Sequence, residues 1–195
     1  MAIKKGIYAA SMSIFKDDLS LDVNSTIQHA ERLIEEGCHG VALFGSTGQS
    51  QLISTKEKKE LIAQLSHSKH KEHFVIGTGV NSLNENIEIM KHCLSNNFNR
   101  FLIMPPAYYK YGDDGAYDFF SNMIQKIPES EIILYNFEKL SGYKFSPQIV
   151  KNLVKDFPKQ ILGIKDSTYN LYETLKIPNF LVFPGSETKL LKGLE

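Results

Sequence analysis

Short apolar runs alternate with amphipathic helical stretches along the whole chain. Seven of these runs have the length and composition of buried strands: residues 7–10, 41–44, 74–77, 101–104, 132–135, 161–165 and 180–183. Repeated alternation of strand and helix predicts parallel strands joined by right-handed crossovers. Two architectures satisfy that pattern, a doubly wound open sheet and a (β/α)8 barrel.

The positions of glycine and of polar residues favour the barrel. The closest approach to a dinucleotide-binding fingerprint is Gly77-Thr78-Gly79, where Ser82 occupies the position of the third glycine. Polar and aromatic residues instead follow the carboxyl ends of several strands, where barrels place their active sites. We therefore predict an α/β fold of the TIM (β/α)8 type. Such a barrel takes about 250 residues, so we expect the 195-residue chain to stop after about the seventh strand, without the eighth strand.

Composition narrows the range of partners. Residues 1–195 contain no linker-like or low-complexity tract, which predicts a single domain, and 22 basic residues balance 22 acidic residues. A net charge of zero argues against nucleic acid or a membrane surface as partner. Cys38 and Cys93 lack C-x-x-C spacing, which predicts free thiols in a reducing cytoplasm. The six histidines form no H-x-x-x-H pair backed by a carboxylate, so no metal site is predicted.

The apolar run at residues 161–165 ends on Lys165 and is followed by Asp166. At the end of a buried strand a lysine loses hydration that stabilises its ammonium form. A neutral amine attacks a ketone to form a Schiff base. The simpler interpretation is a lysine that reaches solvent or pairs with Asp166.

Two other strand ends carry chemistry that fits an amine nucleophile. The second strand leads into the turn at residues 45–48, Gly-Ser-Thr-Gly, whose backbone N–H groups suit an anion such as a carboxylate. The fifth strand ends on Tyr135, a phenol that can transfer a proton, and the Thr47 hydroxyl can relay it. Each motif alone is compatible with an ordinary turn or a core aromatic. Together they predict a site for a 2-oxo acid.

The same motifs resemble one enzyme family. Residues 45–50, Gly-Ser-Thr-Gly-Gln-Ser, resemble the G-T-T-G-E-S loop of the dihydrodipicolinate synthase and N-acetylneuraminate lyase family. Tyr135-Asn136 resembles its Y-N motif, and residues 163–167 resemble its G-x-K-[DE]-[SA] motif. The segments at 77–79 and 183–187 are similar to family segments in the same order. The resemblance implies a (β/α)8 class I aldolase or lyase that forms a lysine Schiff base with pyruvate or a related 2-oxo acid, needs neither metal nor organic cofactor, and takes an aldehyde as partner substrate. It also implies C-terminal helices, which we expect to be absent from this chain.

The resemblance also implies roles for individual residues. Lys165 would form the Schiff base, and Tyr135 would be the central proton-transfer residue. Ser46 and Thr47 would bind the carboxylate, with Thr47 also in the proton relay. Gly185 would belong to the substrate-binding segment after the seventh strand.

Tyr109 matches the tyrosine that the synthases lend to the proton relay of a neighbouring subunit. With its neighbour Tyr108 it is equally well an interface aromatic. The resemblance implies a homodimer or homotetramer in either case.

One segment departs from the family pattern. The synthases follow Y-N with a proline and then an arginine that binds the carboxylate of the second substrate, whereas this chain has Glu138 and Leu140 at those positions. Leucine cannot form a bidentate pair with a carboxylate, and Lys139 on an extended segment would point the other way. Three hypotheses remain: a dihydrodipicolinate-synthase-like lyase, a 2-keto-3-deoxygluconate-type or N-acetylneuraminate-type aldolase, and a non-catalytic protein that binds 2-oxo acids.

Overall fold

A computed structural model describes residues 3–194 of the chain, except the side chain of Leu194. Its residue contacts divide the chain into two compact units, Met1–Leu102 and Ile103–Glu195. The single domain predicted from the sequence stays a prediction. No helix within residues 3–194 is long and apolar enough to cross a membrane.

The first unit contains four parallel strands in chain order. They are β1 (Tyr8–Ala10), β2 (Gly40–Leu43), β3 (Phe74–Gly77) and β4 (Arg100–Ile103), the last residue of which belongs to the second unit. The helices between them are α1 (Val23–Glu35), α2 (Thr55–Leu65) and α3 (Leu83–Ser95). Short 3-10 turns lie at Ser50–Leu52 and Lys71–His73.

The second unit contains three parallel strands, in the order β5 (Glu131–Asn136), β6 (Ile161–Asp166) and β7 (Leu181–Pro184). Its helices are α4 (Asp113–Lys126), α5 (Glu138–Ser141), α6 (Pro147–Asp156) and α7 (Leu190–Leu194), with a 3-10 turn at Glu187–Lys189. All seven strand-like runs of the sequence therefore form strands, whereas α5 has no counterpart among the predicted helices.

Local capping explains where the longer helices begin. The Ser54 side chain accepts from the Glu57 N–H, and the Glu57 side chain accepts from the Ser54 N–H, which completes the capping box at the start of α2. The Ser146 side chain accepts from the backbone N–H of Ile149, and Pro147 occupies the first position of α6. These caps satisfy N–H groups that the first turn of a helix leaves without partners.

Most strands of each unit contribute buried apolar residues to a core that also contains apolar residues of the helices. In the first unit, Val41, Leu43 and Ile76 are buried together with Leu61 and Ile62 of α2. The corresponding core residues of the second unit are Ile132, Leu134, Ile164, Phe120, Met123, Ile149 and Leu153. Strands that are apolar on both faces are typical of parallel sheets covered by helices.

Gly163 of β6 has no room for a side chain. A Cβ atom there would lie 2.6 Å from the Leu181 carbonyl oxygen of the neighbouring strand. We expect Gly163→Ala to lower the free energy of unfolding by about 1–3 kcal/mol, because the two strands must separate to admit the methyl group. Denaturant unfolding measures the change.

Gly45→Ala is the matched control, since the nearest atom to its Cβ would be 3.9 Å away. We expect a change several times smaller. Equal loss in both variants would contradict the steric argument for Gly163.

Candidate active site

Lys165 and Tyr135 form a pair across neighbouring strands. They are register partners between β6 and β5, and the Lys165 Nζ lies 4.5 Å from the centroid of the Tyr135 ring. Tyr135 is only 4% exposed. The face of a phenol ring stabilises positive charge, more strongly where water is excluded. The Lys165 Nζ is therefore held against an aromatic face at the carboxyl ends of both strands.

Asn136 and Asp166, each one residue further along, form a second pair. They are also register partners, and the Asn136 Nδ2 donates to the Asp166 Oδ1 at 2.8 Å. Successive side chains of a strand point to opposite faces of the sheet. One face of the β5–β6 edge thus carries Lys165 and Tyr135, and the other carries a fully buried polar pair.

The Asp166 carboxylate organises the loop that follows β6. Its Oδ1 accepts from the backbone N–H groups of Thr168 and Tyr169, at 3.2 and 2.9 Å. Its Oδ2 accepts from those of Leu171 and Tyr172, at 2.7 and 2.9 Å. A buried carboxylate is costly unless hydrogen bonds replace its water, and here four backbone donors and one amide do so. The loop is therefore folded around Asp166, and the carboxylate is not available as a partner for Lys165.

The same loop holds a strained residue and a second amide. Tyr169 adopts a φ of 63°, which costs a bulky residue energy that its bond to Asp166 helps to offset. The Asn136 Nδ2 also donates to the Asn170 Oδ1 at 2.8 Å, and the Asn170 Nδ2 donates to the Phe145 carbonyl at 3.0 Å. The polar network thus connects the ends of β5 and β6 to the segment before α6. Nothing in the sequence pattern pointed to Asn170.

Gly185 follows β7 at a point of close backbone approach. Its N–H donates to the Asp166 carbonyl at 2.9 Å. A Cβ atom at this position would lie 1.9 Å from the Ser167 Oγ and 2.9 Å from the Ser167 Cα. Only glycine allows these segments to lie so close together.

The loop after β2 carries Ser46 and Thr47 in the first unit. Both residues are exposed and lie in a turn closed by a bond from the Gln49 N–H to the Ser46 carbonyl at 3.0 Å. The left-handed residues are Phe44, with φ 55°, and Gln49, with φ 52°. The left-handed dihedral angles of this turn therefore do not fall on its glycines, Gly45 and Gly48. Gly48 is needed for another reason, since its Cβ would lie 2.9 Å from the Ser11 carbonyl oxygen.

The loop after β3, also in the first unit, is anchored by a buried lysine. The Lys58 Nζ donates to the Thr78 carbonyl at 2.8 Å, and the Thr78 hydroxyl donates to the Asn86 Oδ1 at 2.5 Å. Burial lowers the pKa of Lys58 to about 8, against a smaller opposing effect of the Glu85 carboxylate. The sequence did not predict a buried Lys58, because a lysine on an amphipathic helix ordinarily faces solvent.

Tyr109 lies in the loop between β4 and α4. It is 75% exposed, and its ring packs edge-on against that of Tyr108 with centroids 5.0 Å apart. Tyr108 has a φ of 82°. Further along, Tyr111 stacks on Tyr143 at 5.3 Å. The loop is therefore anchored at one end by a ring stack and presents two tyrosines on its surface.

Leu140 lies in α5, the single helical turn after β5. It is 46% exposed, and the turn ends at Gly142, which has a φ of 73°. The expectation of an extended segment here was wrong. Lys139 and Leu140 lie in a helical turn, where neighbouring side chains do not point to opposite sides as they do in a strand. The prediction that Lys139 points away from the direction of Leu140 therefore does not apply.

Comparisons with known proteins agree with this architecture. The chain is 29% identical over 194 residues to the 4-hydroxy-tetrahydrodipicolinate synthase of Prochlorococcus marinus (strain MIT 9515), covering 96% of this chain and 64% of that protein. Dihydrodipicolinate synthase from Agrobacterium tumefaciens str. C58 has a similar structure, with a TM-score of 0.88 and 28% identity over 98% of this chain and 69% of that one.

A second similar structure is that of a prophage protein from E. coli K12 in complex with pyruvate, belonging to the dihydrodipicolinic acid synthase family. Its TM-score is 0.87 at 28% identity, covering 99% of this chain and 67% of that one. The likeness confirms the predicted fold class, an α/β fold of the TIM-barrel type. A model of the dihydrodipicolinate synthetase family matches residues 4–195, so the chain belongs to that family. It spans less than two thirds of the length of the curated relatives it matches.

The buried lysine generates a prediction about pH. Because the pKa of Lys58 falls from 10.5 in its ordinary state to about 8 in the folded protein, the unfolded chain binds more protons between these values. The free energy of unfolding therefore rises with pH across this window. Lys58 contributes at most about 1.4 kcal/mol per pH unit to that rise.

Denaturant unfolding of the wild type and of Lys58→Met at several pH values from about 8 to 10 measures this contribution. We expect the slope of stability against pH to be more positive in the wild type than in the variant. Parallel profiles would contradict the assignment of a lowered pKa to Lys58.

Proposed function

We propose that the protein is a class I lyase that binds pyruvate, or a related 2-oxo acid, as a Schiff base on Lys165. The observation that carries the proposal is the Lys165–Tyr135 pair, with Nζ 4.5 Å from the ring centroid at the carboxyl ends of two parallel strands. Family membership supports it, because the G-x-K-[DE]-[SA] and Y-N motifs contain these two residues.

The proposed chemistry uses the lysine nitrogen as the electron sink. The neutral amine adds to the ketone carbon of pyruvate, a proton reaches the former carbonyl oxygen, and water leaves to give the protonated imine. Loss of a methyl proton then gives an enamine, whose terminal carbon forms a bond to an aldehyde carbon. Tyr135 moves the protons in these steps. Since the imine accepts the electron pair, the reaction requires no metal and no organic cofactor.

We carry three further residues into the proposal on sequence motifs. Ser46 and Thr47 bind the carboxylate of the 2-oxo acid, and Thr47 takes part in the proton relay. Gly185 keeps the segment after β7 close to Ser167, which supports its assignment to the substrate-binding region. These roles are supported by the resemblance of the loops to the motifs of the family.

Leu140 is the residue that bears most directly on the identity of the second substrate. A half-exposed leucine on α5 offers no charge to a carboxylate, and Glu138 at the start of α5 adds a negative one. A dihydrodipicolinate-synthase-like activity remains the first hypothesis because of the family. An aldolase for 2-keto-3-deoxygluconate-type or N-acetylneuraminate-type sugar acids is the second, and Leu140 is the observation that favours it.

A non-catalytic protein that binds 2-oxo acids is the hypothesis of another class. Simple binding of a 2-oxo acid requires neither an amine nucleophile nor a phenol beside it. The retention of both Lys165 and Tyr135 therefore argues for turnover. Release of free pyruvate from a candidate substrate distinguishes the two.

Assembly and location complete the proposal. The exposed Tyr108–Tyr109 pair suits contact with a second copy of the chain, and we propose a homodimer or homotetramer in which Tyr109 reaches the neighbouring subunit. The thiols of Cys38 and Cys93 are free, which suits a reducing cytoplasm.

Borohydride trapping tests the Schiff base directly. Reduction in the presence of pyruvate should add the mass of one reduced pyruvate adduct per chain, and Lys165→Ala should abolish the adduct, because it removes the amine that lies over the Tyr135 ring. Intact-mass spectrometry measures both. Lys151→Ala, which removes an exposed lysine of α6, should still be trapped. An adduct that still forms in Lys165→Ala would contradict the assignment of Lys165 as the Schiff-base lysine.

A substitution at Leu140 tests substrate choice. Leu140→Arg should raise kcat/KM for aspartate semialdehyde about tenfold or more, since a charge-assisted bond is worth about 1.5–3 kcal/mol. Pyruvate trapping should not change. Steady-state kinetics with the semialdehyde and with 2-keto-3-deoxygluconate measures the outcome.

Leu140→Gln is the control, because it adds polarity without charge and should not reproduce the gain. If the wild type uses the semialdehyde efficiently and Leu140→Arg makes it worse, this interpretation of Leu140 is wrong. The synthase hypothesis would then be preferred to the sugar-acid hypothesis.

A further inference from the structure

The single turn α5 depends on residues outside itself. It comprises only Glu138–Ser141, and one helical turn is unstable in isolation because nucleation costs more than its few hydrogen bonds return. The residue at its N-cap is Phe137, whose side chain makes no capping hydrogen bond. The first N–H of the turn must therefore find an acceptor elsewhere, or remain without a partner.

Thr168 supplies that acceptor. The Glu138 N–H donates to the Thr168 Oγ1 at 2.9 Å, so a hydroxyl 30 residues further along the chain acts as the cap of α5. The Glu138 carboxylate also lies 3.9 Å from the Lys144 Nζ, and both side chains are about half exposed. A pair of that kind contributes little to stability. The hydroxyl is therefore the specific anchor of the start of the turn.

Thr168 is itself held by the buried Asp166 network. Its N–H donates to the Asp166 Oδ1, and the Ser167 N–H donates to the Asn136 carbonyl at 2.8 Å. The position of the hydroxyl is thus set by the same carboxylate that closes the loop after β6. A continuous series of contacts runs from the end of β6, through Thr168, to the first residue of α5.

We propose that Thr168 is a positioning residue that holds α5 at the mouth of the Lys165–Tyr135 site and so controls binding of the second substrate. The inference rests on the proposed function. β5, which carries Tyr135, ends two residues before α5 begins, so α5 leaves the same strand end at which the enamine would meet an aldehyde. Thr168 contacts α5 by its hydroxyl and the Asp166 carboxylate by its N–H, whereas Lys165 and Tyr135 are positioned by the register of β5 and β6. Its effect should therefore fall on the aldehyde and not on imine formation.

Thr168→Val is the test, because valine keeps the shape of threonine and removes the acceptor. We expect amide hydrogen exchange of Leu140, Ser141 and Gly142 to become about fivefold faster, the size of effect that loss of a helix cap produces. The KM for aldehyde at saturating pyruvate should also rise, by a smaller factor than the exchange rates, since molecules without α5 in place do not bind it and the apparent affinity falls only with the fraction of molecules that remains competent. Borohydride trapping with pyruvate should stay at the wild-type level. The probe is aspartate semialdehyde or glyceraldehyde, whichever the wild type uses better.

Two matched variants sharpen the result. Thr168→Ser keeps the hydroxyl and should restore both the exchange rates and the KM. Thr174→Val removes an exposed hydroxyl of the same loop region that donates to the Asn170 carbonyl at 3.4 Å, and should change neither.

The outcomes separate the two proposals. Wild-type exchange and wild-type KM in Thr168→Val would overturn the role of Thr168, and so would an equal loss of pyruvate trapping and aldehyde binding. Failure of the wild type to trap pyruvate would overturn the proposed function. The exchange of the α5 amides in Thr168→Val would still decide whether Thr168 holds α5.

Discussion

The buried Asp166 carboxylate is the interaction on which the second unit depends most. It has no exposed surface, and burying such a group is costly unless every oxygen is hydrogen-bonded. Five donors satisfy it, four of them backbone N–H groups of the next few residues. A change that removes one oxygen would leave several of these donors without partners, so the loop after β6 has one stable arrangement. The main chain of Asp166 also bonds to Gly185, which connects that arrangement to the segment after β7.

The alternation of side chains along a strand explains how one segment is both rigid and reactive. Asp166 and Asn136 occupy one face of the sheet, whereas Lys165 and Tyr135 occupy the other. The polar pair therefore fixes the separation of the two strand ends without using either reactive side chain. Because the register partners are consecutive, movement of the first pair would require movement of the second. The 4.5 Å contact between Nζ and the ring is consequently a property of the strands and not of a flexible loop.

The sequence predicts those parts of the fold that depend on local patterns. Apolar runs located all seven strands to within one residue at most boundaries, and the Ser54–Glu57 and Ser146–Pro147 patterns located two helix starts. Contacts between distant segments were not predictable in this way. Thr168 caps a helix 30 residues earlier in the chain, and Lys58 anchors a loop 20 residues later. Their residue types carry no signal, since a threonine in a loop and a lysine on a helix are ordinarily solvated.

The Gly-Ser-Thr-Gly loop shows a further limit of sequence patterns. Glycine predicts a turn, but the positive φ angles fall on Phe44 and Gln49, and Gly48 is required by the approach of the Ser11 carbonyl. The same distinction applies at α5, where apolar Phe137 gave no reason to expect a helix start. A turn that lacks its own cap and is only four residues long takes its position from its neighbours. In this protein that neighbour is the loop folded around Asp166, so the segment that carries Leu140 is tied to the strand that carries Lys165. Substitutions in the loop can therefore alter the surroundings of Leu140 while the reactive pair stays in register.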